Sequence, residues 1–203
     1  MLTNFSESQH EVLRSVLQLY MGGARTFDVD LTYGSGGFYK KGMPRPRLCF
    51  DQRPRFDFVE QVNSAESHAR LGACSVDSIV YDPPYLHAPG KDSIMGQRFG
   101  GYKNYKERDE DYKATMESAH ISLRRGGIFV FKCQDIVESG KQHFNHCKVW
   151  GWALEHGGWT VEDMLVTRSA GVIKGWNHSN QKHFRKEICF FWVLRKTGEK
   201  KQP

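Results

Sequence analysis

The sequence contains no uninterrupted apolar run of membrane-spanning length, so it offers no candidate transmembrane helix. Its amino terminus lacks the basic segment and apolar core of a secretory signal, which predicts a cytoplasmic protein. No internal repeat and no linker-like change of composition divides it, so residues 1–203 are expected to form one domain, with an amino-terminal helical segment over 1–25 and a polar tail over 196–203 that carries Lys200 and Lys201. Cysteine is scarce. Cys49, Cys74, Cys133, Cys147 and Cys189 are odd in number, include no Cys-x-x-Cys pair, and three of them sit in apolar, strand-like runs. This argues against a disulfide framework and for free thiols in a reducing compartment. His143, His146 and Cys147 cluster, but no second cluster supplies the remaining ligands of a structural zinc site, so no metal is expected.

What is present describes a folded, basic globule. Hydrophobic residues make up 39% and aromatics 13% of the chain, enough for a core without staples. The formal charge of +6 and pI near 9.1 favour a polyanionic partner without identifying it.

The most informative stretch is Ser78-Ile79-Val80-Tyr81-Asp82-Pro83-Pro84-Tyr85. An apolar run that stops at two prolines reads as a buried strand whose ladder must end there, because proline has no backbone donor and a fixed φ. In a parallel α/β sheet, ligands sit beyond the carboxyl ends of strands. A carboxylate there accepts hydrogen bonds from an amine, the prolines stiffen the following carbonyls, and Tyr85 offers a flat face. Together these residues read as a receptor for a planar amine. A surface turn is the alternative reading of Asp-Pro.

Upstream, Phe27 to Leu31 reads as a short strand running into Tyr33-Gly34-Ser35-Gly36-Gly37, where glycine lets the backbone turn tightly and approach a ligand. A second strand, Arg47 to Phe50, ends in Asp51, about twenty residues past the first, which is the spacing at which nucleotide-binding folds place an acid on a ribose. An adenosine pocket follows from that pairing. Helices are expected over Ser6 to Tyr20, with Ser6 as cap and Gln9 completing a capping box, over Asp109 to Arg125 with a stop at Gly126-Gly127, and over Ser139 to His156. Strands are expected at Ile128 to Lys132, Thr160 to Thr167 and Glu187 to Arg195.

On Asp82-Pro83-Pro84-Tyr85 and Asp30-Leu31-Thr32-Tyr33-Gly34-Ser35-Gly36-Gly37, over roughly residues 26 to 195, the chain resembles the amino-group DNA methyltransferases that use S-adenosylmethionine, in particular the small solitary ones of phages and prophages. The resemblance implies a Rossmann-like α/β fold: a seven-stranded, mostly parallel sheet with a carboxyl-terminal antiparallel hairpin. It implies that Asp82, Pro83, Pro84 and Tyr85 are catalytic, with Asp82 and the Pro83 carbonyl accepting the two hydrogens of the amine and Tyr85 stacking on a base flipped from double-stranded DNA. It implies cofactor contacts from Asp30, Tyr33, Gly34, Ser35, Gly36, Asp51 and Asp57. Asp57 would meet the adenine ring of the cofactor, or it caps a helix. Leu31 and Thr32 depart from the family's usual proline and phenylalanine, so Tyr33 or Phe38 would hold the methionine end. Aspartate at the first motif position points to the N6 amine of adenine, where cytosine enzymes usually have serine.

The resemblance leaves no room for a separate target-recognition domain. DNA contacts are therefore expected from the loops after Tyr85 and Thr167, through Lys91, Arg98, Lys103, Lys174, Lys182 and Arg185. Methylation of cytosine N4, RNA or a protein amide by the same fold is an alternative, as is a nucleic-acid-binding module that has lost catalysis.

Overall fold

A computed structural model describes residues 2–85, 102–138, 140–168 and 182–198. The strands are β1 Phe5–Ser6, β2 Val29–Asp30, β3 Leu48–Asp51, β4 Glu60–Gln61, β5 Val76–Tyr81, β6 Leu123–Gln134, β7 Ile136–Glu138, β8 Lys141–His143, β9 Trp159–Arg168 and β10 Ile188–Lys196. The helices are α1 Gln9–Tyr20, α2 Ser67–Leu71, α3 Tyr105–Ser122 and α4 Asn145–His156. Eight strands form one sheet in the order β1-β9-β10-β6-β5-β2-β3-β4, and β7 and β8 pair separately. From β6 to β4 every pairing is parallel, whereas β10 runs antiparallel to both β6 and β9. The fold is thus α/β, mostly parallel, with a carboxyl-terminal hairpin.

The sheet has eight strands where the resemblance implies seven. The addition is β1, in which Phe5 and Ser6 pair in parallel with Val166 and Thr167. That pairing takes Ser6 out of the expected cap: its hydroxyl accepts from the Ser8 amide at 3.0 Å and donates to Glu11 at 2.6 Å, and α1 begins at Gln9.

Period-two alternation sorts the central strands onto two covers. On one face Val80, Ile128, Val130, Phe191 and Val193 pack with Val12, Leu13, Val16 and Leu17 of α1. On the other, Ile79, Tyr81, Phe129, Phe131 and Cys133 pack with Tyr112, Met116 and Ala119 of α3 and Val149 and Ala153 of α4. Each large side chain buried this way contributes about 1.5–3 kcal/mol. Two further expectations are corrected. Helix α3 starts at a cap on Asn104, which accepts from Lys106 and Glu107, and ends at Ser122, so Gly126 and Gly127 do not stop it. They lie instead in a bulge of β6, where the register jumps from Val76–Leu123 to Ser78–Ile128; Gly126 has φ +83°, and a Cβ on Gly127 would stand 2.9 Å from the Arg124 carbonyl oxygen. The segment read as one helix from Ser139 contains β8 before α4 begins.

Candidate active site

The strand order reverses between β2 and β5. The chain leaves β2 towards β3 and β4 on one side, then returns to build β5 and β6 on the other. At such a switch point the loops beyond the strand ends separate and leave a crevice. Asp30 pairs with Val80, and the Leu31 amide donates to the Val80 carbonyl at 2.9 Å. The glycine-bearing loop and the Asp-Pro-Pro-Tyr loop therefore leave the sheet side by side.

On the β2 side, Asp30 is 1% exposed and its oxygens are occupied from within: Oδ1 accepts from the Thr32 amide at 2.7 Å, and Oδ2 accepts from the Tyr39 hydroxyl at 2.7 Å. Burial pushes its carboxyl up to about 7, against the opposing pull of the Tyr39 and Thr32 hydrogen bonds. The next turn is built on glycine: Gly34 and Gly36 have φ of +55° and +67°. Asp51, at the end of β3, holds this turn by accepting from the Gly34 amide at 2.8 Å. Ser35 is exposed at its tip. Tyr33 stacks on Tyr39 with centroids 5.4 Å apart and meets Phe58 edge-on. Asp57 is exposed between Phe56 and Phe58 and caps no helix; Asn63 fills that role by accepting from Ala65. Leu31 is fully buried, and the Thr32 hydroxyl accepts from the Asp82 amide at 2.7 Å.

On the β5 side the loop is anchored from below. The Tyr112 hydroxyl donates to the Pro84 carbonyl at 3.0 Å, and the buried Arg108 guanidinium reaches the Tyr85 carbonyl at 3.4 Å. Asp82 and Lys132 meet because both continue the α1 face: Val80 pairs with Val130, so the next residues on that face stand opposite each other. Lys132 Nζ donates to Asp82 Oδ2 at 2.9 Å, with side-chain exposures of 7% and 25%. Phe38 and Phe191 wall the ammonium at 5.2 and 5.8 Å from their ring centres. Burial lowers the affinity of Lys132 for its proton, but the Asp82 carboxylate, with Cys189 and Tyr85 nearby, offsets this and holds it above the ordinary lysine range. Among the described residues nothing bonds to Asp82 Oδ1 or donates to the Pro83 carbonyl.

Sequence reasoning missed Lys132, because it lies 50 positions from Asp82 in a run that reads as plain strand; only the register brings the two together. Of the expected DNA-contacting residues, Lys103, Lys182 and Arg185 are exposed, and Phe184 beside them is 89% exposed. Lys91, Arg98 and Lys174 lie outside the described residues. Among the described residues no group of three His, Cys, Asp or Glu side chains could hold a metal ion; His146 is instead paired to Asp135 at 2.8 Å. A hollow of about 440 Å³ lies at the opposite end of the strands, lined by Tyr20, Asp28, Asp77 and Gly126.

No family model and no curated protein matches the chain by sequence. Solved structures match it in fold. TrmN from Thermus thermophilus aligns over 92% of this chain and 48% of its own, with 14% identity and a TM-score of 0.54. An S-adenosylmethionine-dependent methyltransferase from Leishmania major aligns over 92% and 71%, with 11% identity and a TM-score of 0.53. The cytosine-N4-specific PvuII DNA methyltransferase aligns over 69% and 49%, with 13% identity and a TM-score of 0.50. The chain spans about half the length of several of the structures it matches. In architecture the chain has the Rossmann-like α/β fold of these methyltransferases.

Proposed function

We propose that this chain is an S-adenosylmethionine-dependent methyltransferase acting on the N6 amine of adenine in DNA. The observation that carries the reading is Asp82 Oδ1 and the Pro83 carbonyl, both without a partner among the described residues, at a strand-order switch point beside a glycine turn held by an acid on the next strand.

The residues present fit the cofactor. Gly34, Ser35 and Gly36 form a tight turn open at Ser35, and Asp51, assigned from sequence to the ribose as Tyr33 and Asp57 are to other parts of the cofactor, holds that turn through the Gly34 amide. Asp30 acts on the cofactor indirectly, as the internal clamp that shapes the turn. When bound, S-adenosylmethionine supplies an electrophilic methyl group on a sulfonium.

The exocyclic amine of a base is conjugated with its ring and is a poor nucleophile. Asp82 Oδ1 and the Pro83 carbonyl each accept one amine hydrogen, which turns the nitrogen pyramidal and aims its lone pair, a contribution of positioning and electrostatics. Tyr85 supplies the stacking face for a base extruded from the duplex, an extrusion that costs a few kcal/mol. The methylated nitrogen sheds its extra proton readily, so no strong base is required. Exposed Lys103, Lys182 and Arg185 support a phosphate-bearing partner, with Lys91, Arg98 and Lys174 assigned to the same contact from sequence.

Transfer of labelled methyl to unmethylated double-stranded DNA, with RNA alongside and the modified nucleoside identified after digestion, tests the reading. Label in N6-methyladenosine of DNA is the expected result. Label in N4-methylcytosine or in RNA moves the assignment to those substrates. Absence of label from both polymers despite cofactor binding overturns the DNA assignment in favour of a protein amide or a specialised RNA.

A further inference from the structure

Lys132 is unusual for a buried lysine. Its ammonium carries three donors, and among the described residues only Asp82 Oδ2 accepts from it. The side chain is 7% exposed and walled by Phe38 and Phe191, so the other donors are largely removed from bulk water. A buried charged donor without an acceptor is costly. Its immediate neighbour, Asp82 Oδ1, is an open acceptor on the same carboxylate. At the β5 side of the crevice an acceptor, Asp82 Oδ1, therefore stands next to a fixed donor.

That pattern has a chemical complement. An amine attached to a carbon whose other neighbour is an acceptor offers hydrogens to the acceptors and a lone pair to the donor. Adenine offers N6 beside N1, cytosine offers N4 beside N3, and a carboxamide offers nitrogen beside oxygen. A lysine amine has no such acceptor, and a guanidinium donates on every side. From this complementarity we propose that Lys132 is a specificity-determining residue that reads the acceptor atom adjacent to the amine being methylated. The inference rests on the methyltransferase reading and narrows its substrate to amidine-like or amide-like amines.

Full transfer of the proton to the ring would quench the neighbouring amine. The Asp82 carboxylate guards against this, since with Cys189 and Tyr85 nearby it offsets burial and keeps the proton on Lys132. The hydrogen bond then orients the ring in its own plane, so that the amine nitrogen cannot rotate away from Asp82 and Pro83.

The test uses the full chain and an oligonucleotide duplex carrying the target found by the labelling assay. The target adenine is replaced by 1-deazaadenine, which keeps the amine and removes the ring acceptor; 3-deazacytosine serves if the labelled base is cytosine. Wild-type protein is expected to lose about 10- to 100-fold in kcat/KM on the analogue, the loss typical of one hydrogen bond to a charged group. Lys132→Met is expected to process the natural base and its analogue within about twofold of one another, as befits a reader that has been removed. A lysine that merely props Asp82 predicts a different result: the variant loses rate equally on both substrates and the wild-type preference survives. Equal turnover of base and analogue by wild-type protein, or a preference that survives in Lys132→Met, overturns the proposal.

Thermal melting and S-adenosylmethionine affinity establish that Lys132→Met is folded. Should it not fold, Lys132→Gln keeps a neutral donor and is expected to retain a reduced preference, and the wild-type comparison alone still decides the main point. DNA that takes no label fails the DNA-substrate reading, whereas labelled DNA with an indifferent analogue fails only the role given to Lys132.

Discussion

The ends of β2 and β5 lie side by side and each delivers an aspartate, yet the two carboxylates live in opposite circumstances. Asp30 is buried and its oxygens are occupied by Thr32 and Tyr39. Asp82 is one-quarter exposed, with one oxygen on Lys132 and the other without a partner among the described residues. A buried polar group that is fully paired within its own chain is a structural clamp, whereas one left half-paired at the mouth of a crevice is arranged for something that arrives later. The motifs of the resembling family would give both aspartates a place in one site; their surroundings here set them apart.

The sharpest way to break this comparison is to remove each carboxylate. Asp82→Ala is expected to lower methyl transfer by about 100- to 1,000-fold, the scale for loss of one preorganised electrostatic partner, while S-adenosylmethionine affinity by calorimetry stays within about threefold. Transfer retained in that variant sinks the role of Asp82. Asp30→Ala should behave differently: it strands the Tyr39 hydroxyl and the Thr32 amide and should lower stability by about 2–4 kcal/mol in chemical denaturation, with activity following cofactor affinity.

Acidity sharpens the contrast further. The Asp30 carboxyl is raised from 3.8 to about 7 by burial, so the folded state holds that proton more tightly than the unfolded one. Its contribution to stability is fully present below about pH 4 and is lost as pH rises through about 7. Denaturation of wild type and Asp30→Asn across pH 4 to 8 should therefore show wild type losing ground to the variant as pH rises; parallel curves would mean that the buried carboxyl is already ionised at pH 4. The smallest effect is expected for Thr32→Val, which keeps the side-chain shape and removes the hydroxyl between the loops, at about 1 kcal/mol of stability.

Much of the fold was legible because its signals are local. The run ending at Asp82-Pro83-Pro84 declares a buried strand and its stop within eight residues, and the core of α1 follows from Val12, Leu13, Val16 and Leu17 at helical spacing. What escaped depends on contacts across the sheet. A two-residue strand such as β1 has no periodicity to read, and it exists because Val166 and Thr167 offer it an edge. The glycines at 126 and 127 resemble a helix stop until β6 is seen to bulge around them. The candidate site divides the same way: the residues in its motifs could be named from sequence, whereas the contacts of Lys132 and the Thr32 hydroxyl with Asp82 needed the register and the loop geometry.

Thr32 stands where the resembling family usually has an aromatic ring. By accepting from the Asp82 amide while its own amide rests on Asp30, it ties the two loops of the crevice into one mechanical unit. Under the proposed function, occupancy on one side is then expected to be felt on the other through this link. If filling the glycine turn shifts the Thr32–Asp82 link, target affinity changes by some factor, and thermodynamic reciprocity requires the target to change cofactor affinity by that same factor. Under the proposed function, the size of that coupling is expected to depend on the Thr32 hydroxyl.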